Sequence, residues 1–122
     1  MQTTESMHVV TRCILPTRAG GCDGWNYFND LFKFSFDVEQ WAPVRVVGTA
    51  PGARSAPAAV IHEAQMFVFG GYDGGRSLND LFVFDLTSWE WRPVRVHGTP
   101  PSPRGGHTAV VHQGIMYAFG MS

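Results

Sequence analysis

Residues 20–34 read GGCDGWNYFNDLFKF, and residues 70–84 read GGYDGGRSLNDLFVF. Both stretches keep a Gly-Gly pair, an Asp-Gly turn and an Asn-Asp-Leu-Phe run in the same order and at the same spacing. A shift of 50 residues also aligns the rest of the chain without a gap, and 24 of the 51 pairs from 20/70 to 70/120 are identical. Self-similarity at a fixed period of this length is typical of repeat architectures. The sequence therefore predicts two copies of one structural unit.

Each copy divides into four short segments with the composition of β-strands. In the second copy, residues 81–86 and 90–96 are rich in aromatic and β-branched side chains, although Pro93 indicates an edge or an irregularity. Residues 108–112 and 115–120 follow after a connection rich in Gly and Pro. No window carries a helical stripe of apolar side chains. The sequence predicts an all-β fold of four-stranded antiparallel blades stacked face to face, which is the architecture of a β-propeller.

Composition and charge narrow the classes of function. The chain has 122 residues, which suits one small domain, and 44% of them are hydrophobic, which argues against disorder. Nine Lys plus Arg face ten Asp plus Glu, and the resulting net charge of −1 argues against a nucleic-acid partner. No apolar run approaches the roughly 18 residues that span a membrane, and residues 1–15 lack the apolar core of a secretory signal. We therefore expect neither nucleic acid nor a membrane as partner.

Cysteine usage bears on the compartment. Cys13 and Cys22 are the two cysteines of the chain, too few for a disulfide framework. Reduced thiols are the simplest interpretation, and they indicate a cytoplasmic protein. A nuclear location and a bridge between Cys13 and Cys22 stay open as alternatives.

The order of the repeated elements resembles the kelch repeat. In both copies a Gly-Gly pair precedes Asn-Asp-Leu-Phe, and a Trp lies 20 positions after the second Gly. The structural repeat positions are Gly20, Gly21, Trp41, Gly70, Gly71 and Trp91. The long connection at 98–107 is similar to that of kelch proteins of the leucine-zipper-like, host-cell-factor and Rab-effector kind. This resemblance implies a kelch-type β-propeller that serves as a non-catalytic scaffold or adaptor for protein partners.

The repeats divide the chain into three parts. We expect degenerate or truncated leading strands at 1–19, a first kelch unit at 20–69 and a second, truncated unit at 70–122. One complete blade can be assembled, from the strand that ends at His62 to the strand that contains Trp91. Because propellers typically have 4–8 blades, we expect the chain to be part of a larger or a self-assembled propeller. A fragment, a shortened product and a ring-forming protomer remain as alternatives.

No catalytic, cofactor or metal site is predicted. The Gly-Gly pairs lack the spacing of a phosphate-binding loop, so they are interpreted as turns that need positive φ. His62 and His112 occupy one repeat position on different blades, and His107 lies close to His112, without a zinc motif nearby. Hydrogen-bonded structural histidines are the favoured interpretation. A propeller enzyme of the galactose-oxidase-like type is a disfavoured alternative, because two units cannot surround an axial site with ligands.

Residues that repeat are explained by packing. We expect four pairs of aromatic side chains to fill the space between sheets, since each buries a large area. These pairs are Phe32/Phe82, Phe34/Phe84, Trp41/Trp91 and Phe69/Phe119. Arg54 and Arg104 are expected to anchor their loops by binding backbone carbonyls.

Residues that differ between the copies are candidates for binding a partner. The largest differing block is Trp25-Asn26-Tyr27-Phe28 against Gly75-Arg76-Ser77-Leu78, in the predicted loop between the second and third strands. In an up-and-down sheet this loop shares a face with the connection to the next blade. Aromatic residues and Arg are typical anchors of interfaces. The hypothesis is a protein-binding site at Trp25, Tyr27, Phe28, Arg76 and Arg104; the alternative is that the aromatic residues fold over the blade edge.

Overall fold

The computed structural model describes the backbone of residues 5–10, 13–14, 26–27 and 30, and the backbone and side chains of residues 31–120. These residues form strands, turns and connections without a helix, and hence without a helix that could span a membrane. The strands are β1 (Glu5–Val10), β2 (Cys13–Ile14), β3 (Asn26–Tyr27), β4 (Asp30–Ser35), β5 (Gln40–Pro43), β6 (Val47–Gly48), β7 (Ala58–His62), β8 (Gln65–Tyr72), β9 (Ser77–Asp85), β10 (Glu90–Pro93), β11 (Thr108–His112) and β12 (Ile115–Phe119).

One sheet contains the complete blade that the repeat predicts. Strands β7, β8, β9 and β10 pair antiparallel in sequence order, from the strand that ends at His62 to the strand that contains Trp91. The short strand β6 pairs parallel to β10 and covers its outer edge. Strand β10 ends at Pro93, which has no backbone N–H to continue the ladder. The all-β class and the partial β-propeller architecture are confirmed.

The core lies between this blade and the preceding strand β4. Its fully buried members are Phe84 and Trp91, whose ring centroids lie 5.0 Å apart, together with Met66 and Val68 of β8. Leu31 of β4 packs into the same cluster from the neighbouring sheet. The two repeat copies therefore bury their apolar faces against each other, as repeat units must.

The Gly-Gly pair of the second copy lies where β8 becomes irregular. Gly70 and Gly71 have φ values of 74° and 116°, and the pairing of β8 with β9 shifts at this point. A Cβ atom on Gly70 would lie 2.6 Å from the carbonyl oxygen of Arg104. The interpretation that this pair needs positive φ and space for a neighbouring backbone is confirmed, whereas its assignment to a turn is wrong, because both glycines lie within β8 at a bulge. Gly20 and Gly21 lie outside the described residues.

The first copy departs from the repeat at its leading strand. By analogy with Gln65, which pairs with Asp85 in the second copy, Leu15 would pair with Ser35. Instead, Glu5 of β1 pairs with Ser35, and the sheet has the order β1-β4-β5. A segment ten residues earlier in the chain therefore occupies the edge of β4 that the repeat assigns to residues near 15.

For two of the aromatic residues, the predicted burial between sheets is wrong. Trp41 is 56% exposed, whereas its counterpart Trp91 is 2% exposed because β6 and the core cluster cover β10. Phe119 is 81% exposed, whereas Phe69 is 4% exposed because it packs on the ring of His107, which directly precedes β11. In the part of the chain that the structure describes, no further sheet covers β12. Phe84 is fully buried, and the remaining members, Phe32, Phe34 and Phe82, are partly buried.

Candidate interaction surface

The turn at 73–76 and the connection at 94–107 meet on one face of the complete blade. The backbone N–H of Arg104 donates to Leu78 O at 2.9 Å, and that of Gly71 donates to Arg104 O at 2.8 Å. The side-chain amide of Asn79 donates to Pro101 O at 3.1 Å. These bonds fix the connection to β8 and β9 beside the turn, and Arg76 and Pro103 line one cleft, so the expectation that the two loops share a face is confirmed.

The turn that carries Arg76 is shaped by Asp73. One carboxylate oxygen of Asp73 accepts from the backbone N–H groups of Gly75 and Arg76, each at 2.9 Å. These two bonds, with that from Gly75 the stronger influence, lower the pKa of Asp73 below its usual value, so the carboxylate is ionised at neutral pH. The Arg76 side chain is exposed.

A shallow polar cleft of about 220 Å³ lies where the turn and the connection meet. It is lined by Arg76, Ser77, Leu78, Asn79, Asp80 and Pro103. A surface with a guanidinium, a carboxylate and an amide around a cleft can bind polar groups of a polypeptide, such as backbone amides and charged side chains.

Arg104 anchors the connection to the sheet. Its Nε donates to Ser102 O at 3.0 Å, and one terminal nitrogen donates to Gly120 O at 3.2 Å. Arg54 makes the same two contacts 50 residues earlier, to Gly52 O at 2.9 Å and Gly70 O at 3.1 Å. The prediction that both arginines anchor their loops through carbonyls is confirmed.

Arg54 also forms an ion pair that we did not predict from the sequence. Its two terminal nitrogens bind the two carboxylate oxygens of Asp80 at 2.6 and 3.1 Å, and its Cζ lies 5.7 Å from the centre of the Phe82 ring. This bidentate, partly buried ion pair ties the connection before β7 to β9. The signal was present in the sequence, because an Arg and an Asp recur at the same two repeat positions. Among the described residues, no carboxylate forms an ion pair with Arg104.

The histidines do not form a site. His62 ends β7 and lies 3.5 Å from the carboxylate of Glu63, whereas His112 ends β11 in a different sheet. His107 is 6% exposed, and its two ring nitrogens are buried without a hydrogen bond of strict geometry. Its ring packs edge-to-face against Phe69, and burial lowers the pKa of His107. No cluster that could hold a metal ion occurs among the described residues.

The aromatic part of the predicted partner site is only partly covered by the structure. Tyr27 belongs to β3 and pairs with Cys13 of β2, so its assignment to a loop is wrong. Trp25 and Phe28 lie outside the described residues. Of the five predicted binding residues, the structure therefore describes the side chains of Arg76 and Arg104, which lie on the two loops that meet.

Comparison with known proteins supports the repeat assignment. The model of a family described as the KLHDC2/KLHL20/DRC7 Kelch-repeats domain matches residues 17–122. A leucine-zipper-like transcriptional regulator 1 homolog of Drosophila melanogaster is 37% identical over 51 residues. That alignment covers 42% of this chain and 5% of the fly protein, so the chain spans a small part of this relative.

Proposed function

Because the chain belongs to the kelch-repeat family, whose domains are generally interaction scaffolds, we propose that it is a non-catalytic scaffold that binds a protein partner. We place the binding site on the face where the turn at 73–76 and the connection at 94–107 meet. The observation that supports this most is that hydrogen bonds hold the connection on β8 and β9 while Asp73 fixes the turn beside it, because a preorganised surface loses less entropy on binding.

The proposed site divides into anchors and a rim. Trp25, Tyr27 and Phe28 are the apolar anchors, because aromatic residues carry much of the binding energy of interfaces. Arg76 and Arg104 lie at the polar rim. Arg104 already binds two carbonyls and is held in place, whereas Arg76 is exposed and is the freer of the two to contact a partner.

The partner and the compartment follow from the composition. A net charge of −1 favours a protein over nucleic acid as the partner, and nothing in the proposal requires a membrane, a metal or a cofactor. Two cysteines that we interpret as reduced thiols favour the cytoplasm, with the nucleus as the alternative.

The anchors are tested by substitution. Trp25→Ala and Tyr27→Ala should each weaken binding about thirtyfold or more, since anchors contribute about 2 kcal/mol or more each. Arg76→Ala should have a several-fold smaller effect that shrinks with added salt, because exposed charges are screened.

The experiment is affinity capture from cell extract, compared by quantitative mass spectrometry. The bait proteins are the parent chain, the Trp25→Ala/Tyr27→Ala double variant and a control, Arg92→Ala, which removes an exposed Arg from β10. Proteins that the parent and the control retain and the double variant loses are the expected result, with unchanged circular dichroism for all three. If the double variant retains every partner at equal abundance, the aromatic residues are blade-edge packing and the site assignment is wrong.

A further inference from the structure

Strand β12 is the repeat counterpart of β8, but the edge that β8 uses to bind β9 carries no described strand in β12. We propose that this edge binds strands β4 and β5 of a second copy of the chain, so that copies join head to tail. This inference concerns self-assembly, and the contact between copies shares Arg104 and the connection at 94–107 with the partner site proposed above.

The occupant is indicated by the register of the complete blade. Strand β8 pairs with β9 so that Met66 lies opposite Phe84 and Val68 lies opposite Phe82. Strand β12 repeats the first of these residues as Met116, and β4 carries the same Asp-Leu-Phe-X-Phe sequence as β9. The repeat therefore specifies the new pairing as well. It pairs Met116 with Phe34, Tyr117 with Lys33 and Ala118 with Phe32 of the second copy.

The groove that would receive the second copy is lined by repeat counterparts of the core residues, but it lacks the counterparts of the two aromatic core residues. A cleft of about 320 Å³ lies between β9, β12 and the connection at 96–101. Five of its lining residues are Leu81, Val96, Pro100, Met116 and Ala118. Their repeat counterparts all belong to the core cluster or pack against it: Leu31, Val46, Ala50, Met66 and Val68. In that core the remaining space is filled by Phe84 and Trp91.

The β4–β5 hairpin presents the two aromatics that this groove lacks. Phe34 and Trp41 are the repeat counterparts of Phe84 and Trp91. Their ring centroids are 5.2 Å apart at 54°, against 5.0 Å and 51° for the buried pair, so the hairpin already has the geometry of the core hairpin. Trp41 is more than half exposed and Phe34 is only partly buried, so docking would remove a large apolar area from water.

Opposite charges also meet at the proposed contact between copies, which we call the junction. In the complete blade, Arg54 binds the carboxylate of Asp80 on β9. Arg104 is held in the same way by its loop and carbonyl contacts, and Asp30 of β4 is the repeat counterpart of Asp80. Docking of β4 in the repeat register brings Asp30 of the second copy to the guanidinium of Arg104.

Assembly requires exchange of a strand. Strand β1 pairs with β4 along the edge that β12 of another copy would use, with Ser6 opposite Phe34 and His8 opposite Phe32. At these register positions β12 would supply Met116 and Ala118, the types of residue that the complete blade has there. The exchange thus replaces polar residues with apolar ones opposite two phenylalanines, which favours assembly.

Each copy would then provide two complete blades, one of its own and one shared. Since propellers have roughly 4–8 blades, closed rings of about two to four copies would result. A heterologous contact that repeats head to tail closes into a ring when the rotation permits it.

The first test is the mass of the 122-residue chain in solution, measured by sedimentation velocity from low to high concentration. A distribution that shifts from monomer to closed oligomers is the expected result. A monomer at every concentration would overturn the proposal and would leave the β12 edge to another occupant.

Charge reversal tests the junction. Asp30→Arg and Arg104→Asp should each impair assembly, because each places like charges at the junction. A mixture of the two variants should restore it, since every junction between unlike copies then pairs opposite charges. Equal masses for the mixture and the separate variants would contradict the assignment of Asp30 and Arg104 to one junction.

Cross-linking tests the register in chains with Cys13 and Cys22 replaced by Ser. Lys33→Cys with Tyr117→Cys places two thiols opposite each other in the proposed pairing and should give covalent oligomers on oxidation. The matched control, Lys33→Cys with Ile115→Cys, keeps the same face but is two residues out of register, too far for a disulfide. Equal cross-linking of both pairs, or none of the first, would show that copies associate through another surface and would overturn the proposal.

Discussion

Trp41 and Trp91 occupy the same repeat position, yet one is more than half exposed and the other is buried. The same contrast separates Phe119 from Phe69. In each pair the residue type matches and the neighbouring sheet differs, so burial depends on what packs against the strand. Identity between copies therefore predicts which residues face the space between sheets, but it does not predict whether that space is filled.

Phe84 provides the residue-scale test of the core. Phe84→Ala should lower the free energy of unfolding by roughly 3–5 kcal/mol, since it removes a fully buried aromatic ring from the centre of the cluster. The control is Phe36→Ala, because the ring of Phe36 is more than half exposed. Urea denaturation measures both. Similar midpoints for the parent and Phe84→Ala would show that β9 is not in the core.

His107 provides a test by pH. Burial lowers the pKa of His107 in the folded state, so the unfolded chain binds a proton more readily. Above about pH 6.5, the ordinary pKa of histidine, the ring is neutral in both states and the fold keeps its full stability. As the pH falls below this value, the unfolded chain takes up a proton first, so the free energy of unfolding decreases until the pH has passed the lower pKa of the folded state.

The melting temperature of the parent should therefore fall as the pH is lowered below about 6.5, and His107→Leu should reduce this fall. His112→Leu, which removes an exposed histidine from the same strand region, is the control and should leave it unchanged. Parallel curves for the parent and His107→Leu would rule out this role of the buried ring.

At the scale of elements, the repeat predicts the pairing of the second copy and of β4 with β5, but not the pairing of β1 with β4. The order and pairing of β7 to β10 follow from alternating turn signals and aromatic segments, which are local. The pairing of β1 with β4 depends on which of two competing segments binds one sheet edge, and that choice is not local. For the candidate site, the shared face of the two loops followed from topology. The Arg54–Asp80 ion pair needed knowledge of which strands are neighbours.

The bulge at the end of β8 gives an element-scale prediction. Gly70→Ala should destabilise the fold by about 1–3 kcal/mol, because alanine is strained at φ 74° and its Cβ would press on the Arg104 carbonyl. Gly52→Ala is the matched control, since a Cβ there meets no atom within 4 Å. Thermal unfolding of the two variants gives the comparison. A loss for Gly52→Ala as large as that for Gly70→Ala would contradict the close approach of the two backbones.

At the scale of the whole molecule, the described residues combine one complete blade with a partial sheet on each side. The complete blade holds the buried core, and the turn and the connection at which we place the partner site lie on it. The incomplete parts, β4–β5 at one end and β11–β12 at the other, carry the exposed aromatics Trp41 and Phe119. Partner binding and self-assembly therefore share the connection at 94–107, and the Trp25→Ala/Tyr27→Ala and Asp30→Arg variants address the two separately.

The central claim is that a protein partner binds the face formed by the turn at 73–76 and the connection at 94–107. Hydrogen–deuterium exchange of the chain, alone and with a captured partner, tests it most directly, since exchange reports protection of individual backbone segments. Slower exchange on binding is expected in these two loops and at residues 25–28, with β8 and β9 already protected in the free chain. Protection confined to β5, β12 or other segments, with both loops and residues 25–28 unchanged, would contradict the claim.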